Sequence, residues 1–221
     1  MERITFSTDD GITIVGDLYK AKEGSPCALL LHMMPATKES WATFAARLVD
    51  EGFTVLAIDL RGHGESSGTA TTPLDYKTFT DEAHRATIHD VEAAVRWLIR
   101  TQSVKDSRIA IVGASIGANL AIAFAAKHRP PGTVVALSPG LVYHGVNTET
   151  AIYELAAMQK LYLAASDDDE YSFSSVRELA AMRPKMTILK ELHNAGHGTT
   201  MLEKSPEFLE EVVQWVSKNV K

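Results

Sequence analysis

The chain has 221 residues and a formal net charge of -6, with 45% hydrophobic and 23% charged residues. These values are ordinary for a folded globular protein, and the length allows one α/β domain with a sizeable core. The negative charge and the lack of a basic run argue against a nucleic-acid partner, because such binding depends on contacts between basic side chains and phosphates.

The cysteine content and the hydropathy pattern bear on location. Cys27 is the only cysteine, so no internal disulfide can form, which fits a reducing compartment. The first ten residues lack the apolar segment of a secretory signal, and no apolar stretch of the sequence is long enough to span a bilayer. We therefore expect a cytoplasmic enzyme or binding protein without a membrane partner.

The first half of the chain alternates between predicted strands and helices. Two alternating segments flank Asp9-Asp10-Gly11 and predict a β-hairpin. Continuous apolar runs at 27–31 and 53–58 are typical of strands covered on both faces. Between these runs, Ser40 is predicted to cap a helix that ends at Gly52 and buries a stripe formed by Trp41, Phe44, Ala45 and Leu48.

The second half continues the alternation. Apolar runs predict four more strands, at 109–112, 133–137, 161–165 and 186–189. Ser175 and Glu178 have the spacing of a capping box, and Ser205 with Pro206 is predicted to open the last helix. Alternation of this kind implies crossover connections. We predict a single α/β domain over 1–221, with a mostly parallel sheet, an N-terminal antiparallel hairpin and helices on both faces.

One motif organises the chain. Residues 113–117 read Gly-Ala-Ser-Ile-Gly, between a predicted strand and a predicted helix. This is the strand-turn-helix context in which a serine presents its hydroxyl above a sheet. The turn is tight enough that the positions two residues before and after Ser115 must be very small, and glycine meets that requirement. The helix N-terminus behind the serine offers free N–H groups to a developing oxyanion.

The arrangement of loops at the strand ends resembles the α/β-hydrolase family, in its small, lidless, dienelactone-hydrolase-like and carboxylesterase-like branch. Four loops carry the resemblance, in the same order along the chain: 32–35, 59–66, 113–117 and 194–198. The resemblance implies a serine hydrolase that uses no metal and no organic cofactor. It also implies a chain order of serine, acid and histidine for the reactive residues.

The resemblance assigns roles residue by residue. Ser115 matches the nucleophile, and His197 matches the histidine that takes its proton and later delivers it to the leaving group. The acid is one of Asp167, Asp168 and Asp169. The family pattern places two residues between a small residue at the strand end and the aspartate, and Ala165 in that position selects Asp168.

The family's oxyanion hole uses two backbone N–H groups. Ile116 and Met34 match them, although this chain has His32-Met33 where the family commonly has His-Gly. In the matched loops we expect His32 and His63 to hydrogen-bond the backbone and Arg61 to form a structural ion pair.

The span 138–160 must hold a connecting helix, so we predict no cap and an open, shallow site. Its walls are predicted to come from Met33, Met34, Leu141, Val142 and Tyr143. Such a site suits small or short-acyl esters. Hydrolysis of a lactone, thioester or amide by the same residues is an alternative, and a non-catalytic ligand-binding protein on this fold is a third.

Overall fold

Continuous apolar segments form the centre of the molecule. The computed structural model describes residues 1–69 and 71–220. Strands β3 to β6 are buried at every position, as expected for strands covered on both faces. Among the described residues, the strands are β1 Glu2–Ser7, β2 Thr13–Tyr19, β3 Cys27–Leu31, β4 Thr54–Ile58, β5 Ile109–Ala114, β6 Thr133–Leu137, β7 Val142–Tyr143, β8 Val146–Asn147, β9 Lys160–Ser166 and β10 Thr187–Leu192.

Eight of these strands form one sheet in the order β1-β2-β4-β3-β5-β6-β9-β10, while β7 and β8 pair with each other. The first hairpin and the β2–β4 pair are antiparallel. All other pairs in the sheet are parallel. The predicted mostly parallel sheet with an N-terminal hairpin is therefore confirmed, and the carboxyl ends of its parallel strands share one edge.

Helices cover both faces of the sheet, as predicted. One core cluster contains the buried sides of α3 to α6, and the other contains those of α1, α7 and α8. The helices are α1 Ala42–Asp50, α2 Asp81–Ala86, α3 Ile88–Gln102, α4 Ile116–Lys127, α5 Thr148–Glu154, α6 Glu170–Met182, α7 Thr200–Lys204 and α8 Pro206–Asn219. None of these helices is long and apolar enough to cross a membrane.

Two predicted helix starts are wrong. A 3-10 turn at Lys38–Trp41 precedes α1, so Ser40 does not cap it. Helix α6 begins at Glu170, and Ser175 lies inside it. The Ser175 hydroxyl donates to the Tyr171 carbonyl one turn earlier and accepts from the Leu141 N–H, so it does not act as a cap. The earlier start of α6 places Asp169 at the N-cap position of the helix.

The connection between β6 and β9 is short. Residues 138–159 contain only the β7–β8 hairpin and α5 between their loops, so no cap domain is inserted there, as predicted. The side-chain amide of Asn119 on α4 donates to the Val146 carbonyl and accepts from the Gly140 N–H. The hairpin is thereby fixed to the helix that follows Ser115.

Candidate active site

The turn at Ser115 has the tight geometry that the motif predicts. Ser115 has φ 53° and ψ -119°, a backbone conformation that side-chain-bearing residues rarely adopt. Its N–H donates to the Leu137 carbonyl over 2.8 Å. A Cβ on Gly113 would overlap the Gly117 carbonyl, and a Cβ on Gly117 would overlap the Leu31 carbonyl. The backbone at both glycines therefore approaches its neighbours too closely for any side chain.

Two backbone N–H groups were predicted as oxyanion donors, those of Ile116 and Met34. Ile116 is the first residue of α4, so its N–H has no acceptor within the helix. The Ser115 carbonyl already accepts from Ala118 and Asn119 further along that helix. Met34 follows β3, in the loop that leads towards α1. Both residues thus follow strands that are neighbours in the sheet, β5 and β3.

A buried histidine holds the loop that contains Met34. Nε2 of His32 accepts from the Leu60 N–H over 3.0 Å, and Nδ1 lies 2.9 Å from the Met33 carbonyl. This pattern requires a neutral ring with the proton on Nδ1. Burial, with a smaller contribution from His63, lowers the pKa of His32 to about 4. The prediction that His32 bonds the backbone is confirmed, and the same holds for His63, whose Nδ1 lies 3.1 Å from the Arg61 carbonyl.

Two buried ion pairs join the surrounding loops. The Lys38 ammonium lies 2.7 Å from the Asp59 carboxylate, and both side chains are almost fully buried. Arg61 forms the predicted structural ion pair, with Asp90 on α3 and with Asp10 in the N-terminal hairpin turn. These pairs connect the β3 and β4 loops to each other and to the rest of the fold.

The carboxylate that meets His197 belongs to Asp169. Nδ1 of His197 lies 2.6 Å from Oδ2 of Asp169. Burial alone would raise the pKa of Asp169, but hydrogen bonds from His197, Ser172 and Ser138 outweigh it and leave that pKa lowered. Asp169 is therefore ionised near neutral pH and accepts a hydrogen bond from the Nδ1–H of His197. Because the ring proton lies on Nδ1, the Nε2 atom has a free lone pair that can take a proton.

The prediction that Asp168 is this acid is wrong. The Asp168 carboxylate accepts from the Gly196 N–H over 3.0 Å and 3.1 Å, so it braces the loop that carries His197. Asp167 accepts from the Asn194 N–H and lies 2.6 Å from Nδ1 of the exposed His193. The side chains of three successive residues after β9 point in different directions. Only the last of them, at the start of α6, points at His197.

The loop that carries His197 approaches the end of β5 just before Ser115, since a Cβ on Gly198 would lie 3.3 Å from the Cβ of Ala114. The Tyr143 and His197 rings meet edge to face with centroids 6.4 Å apart. The Tyr143 hydroxyl lies 2.8 Å from the Ser172 hydroxyl. Within 1–69 and 71–220, the Ser115 hydroxyl forms no hydrogen bond to the imidazole. Ser115 is 8% exposed and the His197 side chain 35%.

The predicted pocket residues have different surroundings. Met33 is half-buried, and its sulfur lies 3.9 Å from the Thr199 hydroxyl beside the His197 loop. Leu141 and Met34 pack against the larger core cluster. Val142 is 41% exposed, and its backbone is held by the Tyr171 hydroxyl at the molecular surface. Tyr143 is the member of this set whose ring packs against His197.

Sequence reasoning missed several polar residues that support the site. The Ser138 hydroxyl accepts from the Gly198 N–H over 2.9 Å and thereby ties the histidine loop to the end of β6. Ser172 lies fully buried beside Asp169 and Tyr143. Two signals were present in the sequence: Ser138 directly follows a strand, and Asn119 is polar within an otherwise apolar helix.

In the described part of the chain, no group of three or more histidine, cysteine, aspartate or glutamate side chains is arranged to hold a metal ion. Cys27 is buried in β3, and burial raises the pKa of its thiol to about 12. The thiol is therefore protonated at neutral pH, and a protonated thiol is a poor nucleophile.

Comparison with known proteins places the chain in a family. Residues 29–176 match the family described as alpha/beta hydrolase fold. This span is more than half of the chain, and the chain belongs to that family. The fold is shared with the esterase Pf2001 of Pyrococcus furiosus, with a TM-score of 0.77 and 19% identity over 98% of this chain and 91% of that one. It is also shared with a dienelactone hydrolase from Anabaena variabilis, with a TM-score of 0.72 and 20% identity, covering 98% and 94% of the two chains.

Relatives in sequence have more varied activities. The polyketide transferase grgF of a Penicillium species is 27% identical over 137 residues, which make up 62% of this chain and 44% of the relative. The thiohydrolase aneE of Aspergillus aculeatus is 23% identical over 210 residues, 94% of this chain and 63% of the relative. The chain thus spans about half the length of the curated relatives it matches.

Proposed function

We propose that this protein is a serine hydrolase that cleaves small or short-acyl carboxylic esters through an acyl-enzyme. Ser115 is the nucleophile, His197 the general base and acid, and Asp169 the residue that orients the imidazole. The observation that carries the proposal is the 2.6 Å contact between His197 and Asp169. The histidine loop approaches Ala114 at Gly198, and Ala114 directly precedes the serine on its tight strand-to-helix turn.

The reaction proceeds in two stages. The Ser115 oxygen attacks the ester carbonyl while Nε2 of His197 takes the serine proton, and the N–H groups of Ile116 and Met34 bind the resulting oxyanion. The tetrahedral intermediate collapses when the imidazolium gives its proton to the departing alcohol. Water then attacks the acyl-enzyme with His197 as base, which releases the acid and restores the Ser115 hydroxyl. Asp169 remains ionised throughout and stabilises the imidazolium.

The short β6–β9 connection supports the assignment of small substrates. A long acyl chain needs an extended apolar wall, which relatives with a cap domain can supply and residues 138–159 cannot. We also infer a cytoplasmic location and a small-molecule ester as the binding partner.

A second candidate is acyl transfer from, or hydrolysis of, a thioester. The same three residues would perform it, since the nucleophile and its base define acyl transfer while the pocket selects the acyl group. The sequence relatives named polyketide transferase and thiohydrolase favour this candidate over lactone or amide hydrolysis. Comparison of matched oxygen and thiol esters of one acyl group distinguishes the two reactions.

An active-site-directed fluorophosphonate tests the proposal. We expect stoichiometric labelling of Ser115, identified by peptide mass spectrometry, and no labelling of Ser115→Ala. Ser107→Ala is a matched control, because Ser107 lies in an exposed 3-10 turn before β5, at the opposite end of that strand from Ser115. A folded wild-type protein that remains unlabelled would favour a ligand-binding role instead.

A further inference from the structure

The loop that carries His197 crosses the carboxyl edge of the sheet from β10 towards β5 and β3. The strand order β3-β5-β6-β9-β10 places β9 and β6 beneath its path, and the loop is hydrogen-bonded to both. At the end of β9, the Ser166 hydroxyl accepts from the Ala195 N–H over 2.8 Å. Directly after β6, the Ser138 hydroxyl accepts from the Gly198 N–H over 2.9 Å. These bonds fix the loop relative to β9 and β6.

The contact of the same loop with β5 and β3 is apolar. A Cβ on Gly198 would lie 2.5 Å from the sulfur of Met33 and 3.3 Å from the Cβ of Ala114. The backbone at Gly198 therefore rests on the Met33 thioether and on the Ala114 methyl group. One residue further on, the Thr199 hydroxyl donates to the same sulfur over 3.9 Å. The thioether thus supports two consecutive residues of the loop from below.

This contact joins the three loops of the proposed mechanism. Its members are chain neighbours of the proposed base, nucleophile and oxyanion donor: Gly198 of His197, Ala114 of Ser115, and Met33 of Met34. A change in the volume of the thioether therefore changes the spacing between the loops. Methionine suits such a position, because its unbranched, adaptable side chain fills irregular gaps.

We infer that the Met33 side chain sets the distance between the His197 loop and the Ser115 turn, and that Met33 is a positioning residue that acts through His197. This inference rests on the proposed function. It gives Met33 a role different from that of a pocket wall. Met33 packs with the core cluster of α1, α7 and α8, whereas Leu141 and Tyr143 pack with the cluster on the other face of the sheet.

Steady-state kinetics on a short p-nitrophenyl ester separates the two roles. We expect Met33→Ala to lower kcat about a hundredfold and to change KM less than about threefold, since a misplacement of about 1 Å costs that much in the chemical step. Met33→Leu, which nearly conserves the volume, should retain kcat within about threefold. Met182→Ala is the matched control and should match the wild type, because this half-buried methionine packs on the core at the far end of α6.

Two kinetic results would overturn the inference. A raised KM with unchanged kcat in Met33→Ala would make Met33 a wall of the pocket. Equal losses of kcat in Met33→Leu and Met33→Ala would show that side-chain volume does not set the spacing. If Met33→Ala does not fold, Met33→Val, with its smaller deletion, replaces it in every measurement.

Crystal structures of Met33→Ala and Met33→Leu provide a readout that does not depend on activity. We expect Gly198 to move by about 1 Å into the vacated space in Met33→Ala, the displacement that the kinetic loss requires, and to keep its place in Met33→Leu. A Gly198 that stays in its wild-type position in Met33→Ala would contradict the inference. A folded wild type without esterase activity would refute the proposed hydrolase instead, and the two crystal structures would still decide whether Met33 spaces the loop.

Discussion

Asp169 is the one of three consecutive aspartates whose carboxylate contacts the His197 imidazole. It is the residue before the first turn of α6, and it makes no capping hydrogen bond to that helix. Its oxygens are consequently free for His197, Ser172 and Ser138. Asp168 and Asp167 use their oxygens for backbone N–H groups of the loop 193–198. The three neighbouring carboxylates thus divide into one that faces the imidazole and two that shape its loop.

Separate substitutions of the three aspartates distinguish these roles. We expect Asp169→Asn to lower kcat by about four orders of magnitude, because an amide cannot hold the imidazole in the required tautomer. Asp167→Asn and Asp168→Asn should retain kcat within about tenfold, since a side-chain amide oxygen still accepts from the loop N–H. Steady-state kinetics on a short p-nitrophenyl ester checks this, and a loss confined to Asp168→Asn would contradict the structural assignment.

Residue type and spacing were enough to find Ser115 and His197 as candidates, but not the acid that contacts the histidine. Two glycines in a motif identify the serine in the sequence, and a position in the loop after the last strand identifies the histidine. The acid depends on the direction in which each of three consecutive side chains points. That direction depends on the start of α6, and the capping-box spacing at Ser175 placed this start six residues too late.

At the scale of elements, the strand-to-helix turn between β5 and α4 is under the strongest steric constraint. Ser115 adopts its positive φ only because Gly113 and Gly117 let β5, α4 and β3 approach closely. The apolar runs made these elements predictable, because a parallel strand that is buried on both faces is apolar at nearly every position. The irregular 3-10 turn at Lys38–Trp41 was not predictable, because its Lys38 contacts Asp59, a distant residue.

Alanine at Gly117 tests the steric constraint. We expect Gly117→Ala to lower the free energy of unfolding by about 1–3 kcal/mol, the usual cost of overpacking a rigid region. Gly132→Ala is the matched control, because a Cβ there would meet nothing within 4 Å, and it should change stability by less than about 0.5 kcal/mol. Chemical denaturation of both variants makes the comparison, and equal stabilities would show that the turn can relax.

At the scale of the whole molecule, buried polar groups link the loops at the carboxyl edge of the sheet. His32 joins the β3 and β4 loops. Lys38 joins the 3-10 turn before α1 to Asp59, and Arg61 joins the β4 loop to α3. Because these groups are withdrawn from water, protonation equilibria at this edge affect the stability of the entire fold.

His32 makes the unfolding free energy depend on pH. Its pKa is about 4 in the folded protein, against 6.5 for an ordinary histidine. As the pH falls from 6.5 to 4, the unfolded chain takes up a proton that the folded protein refuses, so stability decreases by up to about 3 kcal/mol. Below pH 4 both states are protonated and the loss stops growing. His32→Gln should lack this part of the slope when denaturation is followed from pH 7 to pH 4, and parallel curves for the two proteins would refute it.

Trapping the covalent intermediate tests the proposed chemistry most directly. The protein is mixed with p-nitrophenyl acetate, quenched in acid before the steady state, and digested for peptide mass spectrometry. We predict one acetyl group on the peptide that contains Ser115, on the serine oxygen, and no acetylation of that peptide in Ser115→Ala. An acetyl group on another residue, or turnover that Ser115→Ala leaves undiminished, would contradict the proposal.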